Sequence, residues 1–290
     1  MKIILDLLRV RDWAKNLFVF LPIIFGGELL VWPTLLMGIE VFACFCLISS
    51  SIYILNDVHD RDYDRSHPRK RNRPIAAGLV NRSVAWGCSL TLGCAGFITA
   101  LFLLRTTPGA IGAMFGYAVL NLAYTYFLKD IAIIDVISIA TGFVLRVVAG
   151  GYACGIWVSP WLIVMTFMLT LFIAVGKRRD DVIRNEEGSE SRKSASGYSL
   201  EYIDMTMGIL SACLLVAYLI YSLSPEVEAR FHSGSVYLTA IFVVAGILRY
   251  MQVAIVKRSS GDPTRLFYRD PFIICCCVLW LLSFILIIYG

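Results

Sequence analysis

Long apolar runs constrain this chain more than any other feature. Several extend for about 20 residues, the length an α-helix needs to cross the hydrocarbon of a bilayer. Hydrophobic residues make up 58% of the 290 positions, too many for an ordinary soluble core. The runs predict nine spans, at approximately 16–31, 33–55, 83–104, 109–128, 131–154, 160–176, 205–224, 235–256 and 271–289. The first is short and interrupted by Pro22 and Gly26-Gly27. The expected fold class is therefore all-α: a polytopic membrane protein forming one domain over residues 1–290. Its cytoplasmic polar loops are expected near 56–82 and 177–204.

Charge gives these spans a direction. With the N-terminus inside, only Arg105 and Arg230 of the 26 lysines and arginines fall in outer loops, and Arg146 and Arg249 fall within spans. All the others lie in inner segments, a bias that sets the orientation in the plasma (inner) membrane and turns both polar loops toward the cytoplasm. The net charge of +5 follows from this bias and does not call for a nucleic-acid partner. Arg9, Arg11, Asp12 and Lys15 interrupt any apolar core near the start, so a cleavable signal is not expected there. The nine cysteines lie in apolar runs without a C-x-x-C pair or an adjoining histidine, which argues against structural zinc.

One polar stretch departs from the rest. Directly after the second apolar run comes Asn56-Asp57-Val58-His59-Asp60-Arg61-Asp62-Tyr63-Asp64, and then a block of cations including Lys70, Arg71 and Arg73. The spacing of Asp57, Asp60 and Asp64 (i, i+3, i+7) puts all three on one face of a helix. Crowded carboxylates repel unless a cation sits among them, and Mg²⁺ shared with a substrate phosphate would relieve that repulsion. His59 and His67 are not expected to be ligands, because Mg²⁺ prefers oxygen.

The pattern Asn-Asp-x-x-Asp-x-x-x-Asp, followed by Arg73-Pro74 and Gly78, resembles the first aspartate motif of the UbiA superfamily of intramembrane prenyltransferases. A lysine (Lys129) in the short turn near 124–130 also resembles the UbiA pattern. Two further strings, Trp13-Ala14-Lys15-Asn16 and Lys177-Arg178-Arg179-Asp180-Asp181, resemble one branch of the superfamily, the decaprenyl-phosphate phosphoribosyltransferases. Most UbiA enzymes carry D-x-x-x-D in the second polar loop. Here Asp181 is followed four residues later by Asn185 and Asp180 by Arg184, and the branch usually has Glu where Asp181 stands.

The resemblance implies helices around a central cavity and an Mg²⁺-dependent transfer of 5-phosphoribose from phosphoribosyl diphosphate to a polyprenyl phosphate. The product would be a precursor of arabinose donors for the cell wall. It also implies roles. Asp57, Asp60 and Asp64 would hold Mg²⁺, with Asn56 orienting the site. Lys15, Lys70, Arg71, Arg73, Lys129, Lys177, Arg178, Asp181 and Arg192 would contact phosphates or the sugar, and Tyr198 would stack on or bond to a ribose. Arg146, inside an apolar run, must face the protein interior; a structural ion pair with an acid on another span and contact with a lipid phosphate are both open. Two other functions compete: a conventional prenyl transfer to an aromatic acceptor, and a transporter for phosphorylated or lipid-linked solutes. A homo-oligomer is compatible with all three.

Overall fold

The computed structural model describes residues 2–67, 70–105, 107–186, 193–231, 233–256, 266 and 269–289, and among these there is no strand. The α-helices are α1 (Lys2–Leu7), α2 (Leu21–Phe25), α3 (Trp32–His59), α4 (Arg61–Ser66), α5 (Arg82–Leu103) and α6 (Pro108–Tyr126). They continue with α7 (Ile134–Cys154), α8 (Pro160–Glu186), α9 (Leu200–Ser222), α10 (Pro225–Phe231), α11 (Ala240–Met251) and α12 (Pro271–Tyr289).

Among the described residues six helical stretches are long and apolar enough to cross a membrane: Trp32–His59, Arg82–Leu103, Ile134–Cys154, Pro160–Asn185, Leu200–Ser222 and Val236–Val256. Pro271–Ile287 is apolar but shorter. Leu90, Ile98, Phe102 and Phe115 point outward, where a water-soluble protein would hide them. The chain is an integral membrane protein.

The first expected span, 16–31, is not one helix. Residues Val10–Phe20 form a 3-10 helix, and Pro22 opens α2 instead of ending it. A proline is suited to a helix start, where its missing N–H is not needed. Gly27 then turns the chain out with φ +74°, a conformation glycine adopts without strain. The second polar loop also differs from expectation, because α8 runs on to Glu186. Asp181 pairs with Arg178 and with Arg184 at i,i+3 spacing, which supports the added turns.

The chain separates into two compact units. The first comprises residues up to Lys129 together with Thr141–Val158; the second comprises Asp130–Ala140 and everything from Ser159 onward. In the first unit α3 lies along α5. Small residues allow that approach: a Cβ on Gly96 would meet Ile48 Cγ1 at 2.8 Å. One turn away Ser51 donates to the carbonyl of Ser89 at 2.7 Å, and Ser89 returns a bond to the carbonyl of Ser51 at 2.8 Å. Close backbones and exchanged hydroxyl bonds are how helices adhere where burial from water drives nothing. Phe45, Ile48, Ala100, Met114 and Tyr117 fill the core beside this seam. In the second unit α8 lies along α9, whose start is capped by the Ser199 hydroxyl accepting from the Tyr202 N–H at 3.2 Å.

Candidate active site

The acidic stretch does not continue as one straight helix. Helix α3 stops at His59, and Asp60 takes φ −87°, ψ 8°, the sparsely populated bridge between helical and extended backbone. The chain re-enters helix as α4 at Arg61. This joint divides the three acids that spacing alone would align. Asp57 and Asp64 share one partner, Arg73, while Asp60 pairs with another, Lys129.

Arg73 unites the first two. Its Nη1 donates to Asp57 Oδ1 at 2.9 Å and to Asp64 Oδ2 at 2.6 Å. Both carboxylates are buried, Asp57 to 3% and Asp64 to 1% exposure. Asp57 is also bound by Arg9, whose Nε donates to Oδ2 at 3.1 Å and whose Nη2 contacts Oδ1. Asp60 is paired with Lys129 and accepts from Asn56 Nδ2 at 3.2 Å. The oxygen left over is Asp64 Oδ1: it is buried without a hydrogen-bond donor, and Lys70 Nζ stands 4.0 Å away. Burial pushes the Asp64 carboxyl above its ordinary range, and Arg73 and Lys70 offset that only in part. For Arg9 burial also opposes the charge, but Asp57 and Asp12 outweigh it and its pKa rises.

Could these residues hold a divalent ion? The donors are hard carboxylate oxygens, one of them buried and without a donor, which fits Mg²⁺. Among the described residues no three acids, histidines or cysteines are gathered around one point as they stand. The guanidinium and ammonium groups compensate the acids instead.

The N-terminal segment is bound to the same helix. Trp13 Nε1 donates to Ser50 Oγ at 2.9 Å, and Ser50 Oγ donates to the Leu8 carbonyl at 2.8 Å. Lys15 donates to Asp12 at 2.6 Å and lies 5.5 Å from the centre of the Tyr53 ring. Burial opposes its charge, but Asp12 and then Tyr53 raise its pKa overall. Asn16, fully buried, donates to Ser49 Oγ at 3.2 Å.

Arg146 corrects one expectation. Its partners are neutral: Nε donates to Asn16 Oδ1 at 2.9 Å, Nη1 to the Gly142 carbonyl at 2.9 Å, and Nη2 to the Tyr117 hydroxyl at 2.8 Å. The Tyr117 ring lies 4.3 Å from the guanidinium carbon. Among the described residues no acid pairs with it, so the structural ion-pair reading does not hold; ring faces and amide oxygens stabilise the charge.

The second unit holds a different cluster. Asp135, fully buried at the start of α7, faces Arg178 Nε at 2.5 Å. It accepts from the Tyr198 hydroxyl at 2.7 Å and from Ser194 Oγ at 3.3 Å. Tyr198 accepts in turn from the Ile133 N–H at 2.6 Å. Burial, and next the bond to Asp135, push the Tyr198 phenol well above its ordinary pKa. Arg178 also bonds Asp181 at 2.6 Å, and Asp181 accepts from Arg184 at 2.9 Å. Arg178 and Tyr198, expected to touch substrate, are turned onto protein groups here. Lys177 is half-buried, Arg71 is exposed on the turn Lys70–Asn72, and Arg192 lies outside the described residues.

Sequence reasoning missed Arg9, Tyr53 and the Asp135–Arg178 pair. The available signal for Arg9 was its place six residues before Lys15, just ahead of the Trp13-Ala14-Lys15-Asn16 string. No spacing rule reveals a partner 48 positions away.

An all-helical membrane protein with buried acids and cations at the end of a long apolar helix defines a class, and the comparisons name it. The profile of the UbiA prenyltransferase family matches residues 19–274, and the chain belongs to that family. Within it, the decaprenyl-phosphate phosphoribosyltransferase of Corynebacterium glutamicum is 28% identical over 286 residues, covering 97% of this chain and 85% of that protein. The protein of the same name from Mycolicibacterium smegmatis is 31% identical over 274 residues, covering 90% of this chain and 85% of its own. Among solved structures, a UbiA homolog from Archaeoglobus fulgidus bound to DMAPP and Mg²⁺ matches with a TM-score of 0.70 over 98% of both chains. At 19% identity that likeness concerns the fold.

Proposed function

We propose that the chain transfers 5-phosphoribose from phosphoribosyl diphosphate to a polyprenyl phosphate and releases pyrophosphate. The observation that carries this reading is the bridge of Arg73 across Asp57 and Asp64, with one Asp64 oxygen left without a donor. Carboxylates and cations so mixed suit a substrate that arrives as a polyanion with a divalent ion. The names of the relatives supply the sugar and the lipid. The sequence agrees, because its second polar segment lacks the D-x-x-x-D of conventional members.

Asp57, Asp60 and Asp64 would hold Mg²⁺, which when bound neutralises charge building on the departing pyrophosphate. Arg73, Lys129 and Lys70 bind the diphosphate oxygens, and Asn56 fixes the orientation of Asp60. Lys15 and Arg146 suit the lipid phosphate, Lys15 as a charge near the membrane face and Arg146 as a buried guanidinium without an acid. Lys177 and Arg192 remain candidates for the sugar 5-phosphate, and Arg71 for the diphosphate. Arg178, buried and paired with Asp135 and Asp181, serves better as a positioning residue, as does Tyr198; Asp181 stays with them.

In the reaction the bond from C1 of ribose to the diphosphate oxygen breaks, and the electron pair leaves with pyrophosphate. An oxygen of the lipid phosphate forms the new bond to C1. That phosphate is already anionic near neutral pH, so no general base is required. On this reading the cation bias would turn this chemistry toward the cytoplasmic face of the plasma membrane, with the N-terminus inside. The product would supply arabinose donors for the cell wall.

The test uses purified protein, Mg²⁺, ribose-labelled phosphoribosyl diphosphate and a polyprenyl phosphate, followed by organic extraction. Label is expected in the organic phase and absent when EDTA is added. No label there, with activity instead on a prenyl diphosphate and an aromatic acid, would assign conventional prenyl transfer.

A further inference from the structure

Arg9 is the least expected member of the first cluster, and its geometry asks for a reason. It has φ +50° and ψ +47°, a left-handed conformation that L-residues with a side chain rarely adopt. The chain holds it there on both sides: Ser50 fixes the Leu8 carbonyl, and the Asp12 N–H donates to the Arg9 carbonyl at 2.7 Å. The result aims a guanidinium at Asp57 on both of that carboxylate's oxygens, with its carbon 5.1 Å from the centre of the Tyr53 ring. Strain of this kind persists where surrounding structure over-determines it, and it gathers at functional sites.

Charge shows what the arrangement does. Asp57 is met by Arg9 and Arg73, Asp60 by Lys129, and Asp64 by Arg73 with Lys70 farther off. Each acid expected to hold metal is therefore already compensated by the protein. A divalent ion arriving alone must displace those cations and leave them unpaired beside it. A diphosphate arriving with the ion accepts the displaced cations and restores the balance. Arg73 joins two acids at once, whereas Arg9 binds Asp57 and no other member of the acid motif. Arg9 is thus the cation that can leave without undoing the junction of Asp57 and Asp64.

We propose that Arg9 is a further diphosphate-contacting residue. It binds Asp57 in the structure and would pass to the diphosphate oxygens when that carboxylate holds a divalent ion. The inference rests on the diphosphate reading above. It makes Arg9 a competitor of the metal and a ligand of the metal–diphosphate, two roles that a purely structural arginine could not combine.

The test measures two affinities on the full-length protein in detergent: Mn²⁺ alone by electron paramagnetic resonance, and the Mn²⁺–pyrophosphate complex by calorimetry. Arg9→Gln is expected to bind Mn²⁺ alone about fivefold more tightly and Mn²⁺–pyrophosphate about tenfold more weakly, within the usual span of coupling effects. Arg9→Lys is expected to recover part of the pyrophosphate affinity. Trp13→Phe removes the neighbouring bond to Ser50 without changing charge, and should leave both affinities near those of the unaltered protein. Arg9→Gln moving both in the same direction, or neither, would overturn the proposal, and so would Trp13→Phe reproducing the Arg9→Gln pattern. If the unaltered protein binds no Mn²⁺–pyrophosphate, the diphosphate reading itself fails and takes this inference with it.

Discussion

The two charged clusters follow the same local plan and reach opposite ends. Each lies where a long apolar helix, α3 or α8, runs into a polar segment before the next long helix packs back along it. In the first, acids are linked mainly to long basic side chains, and one buried Asp64 oxygen keeps no hydrogen bond. In the second, Asp135 takes a guanidinium, a phenol and a hydroxyl, and Tyr198 takes a backbone N–H as well. A buried ion pair is tolerated better the more hydrogen bonds satisfy it, and Asp135 takes two from hydroxyls. On the proposed function the first cluster is the open one, exchanging partners when a polyanion arrives with a metal. The second is the closed one, although its Arg178 Nε meets Asp135 as an ion pair without hydrogen-bond geometry. An acid–base cluster near the end of a membrane helix is therefore no sign of catalysis until its bonds are traced.

The contrast can be broken most forcefully in the closed cluster. Arg178→Ala leaves Asp135 buried and uncompensated, and should cost about 3–5 kcal/mol of stability. A fall in detergent melting temperature and in folded yield would register it. In the open cluster, Asp57→Asn should lower transfer about 100- to 1000-fold, as loss of one transition-state electrostatic group commonly does. Its melting temperature should change little. Activity within threefold of the unaltered enzyme would remove Asp57 from the site.

Smaller changes sharpen the comparison. Tyr198→Phe removes one bond to Asp135 and orphans the Ile133 N–H, for about 1–2 kcal/mol. Specific transfer activity of the folded fraction should hold if Tyr198 positions the segment and does not touch ribose. The smallest effect is expected at Asp270, ahead of α12, where Arg249 donates to it at 2.7 Å and holds its carboxyl below the ordinary carboxylate range. A depressed carboxylate contributes stability above its unfolded value and loses it as pH falls through the lower folded one. Asp270→Asn should thus cost less than about 1 kcal/mol at neutral pH and flatten the acid limb of the stability curve below the ordinary carboxylate range.

How far the sequence could lead is visible in single residues. The apolar runs foretold the long helices because run length is set by the bilayer, and the acidic stretch lies where one of them, α3, ends. The break at Asp60 could not be read, because i, i+3, i+7 spacing assumes an unbroken helix. Pro22 read as an interruption and proved to be a helix start. For Arg146 an acid on another span and a lipid phosphate were equally open as partners, because a membrane charge demands compensation; Asn16, Tyr117 and a carbonyl supply it. Those partners lie up to 130 positions away, beyond any local pattern.

The most direct test of the division between the clusters compares Asp64→Asn with Asp135→Asn, measuring phosphoribosyl transfer per folded molecule and melting temperature on the same preparations. The account predicts that Asp64→Asn abolishes transfer with its melting temperature kept or raised, since a buried carboxylate oxygen without a donor is removed. It predicts that Asp135→Asn melts lower while its folded molecules still transfer. The reverse pattern, transfer surviving in Asp64→Asn and lost in well-folded Asp135→Asn, would contradict it.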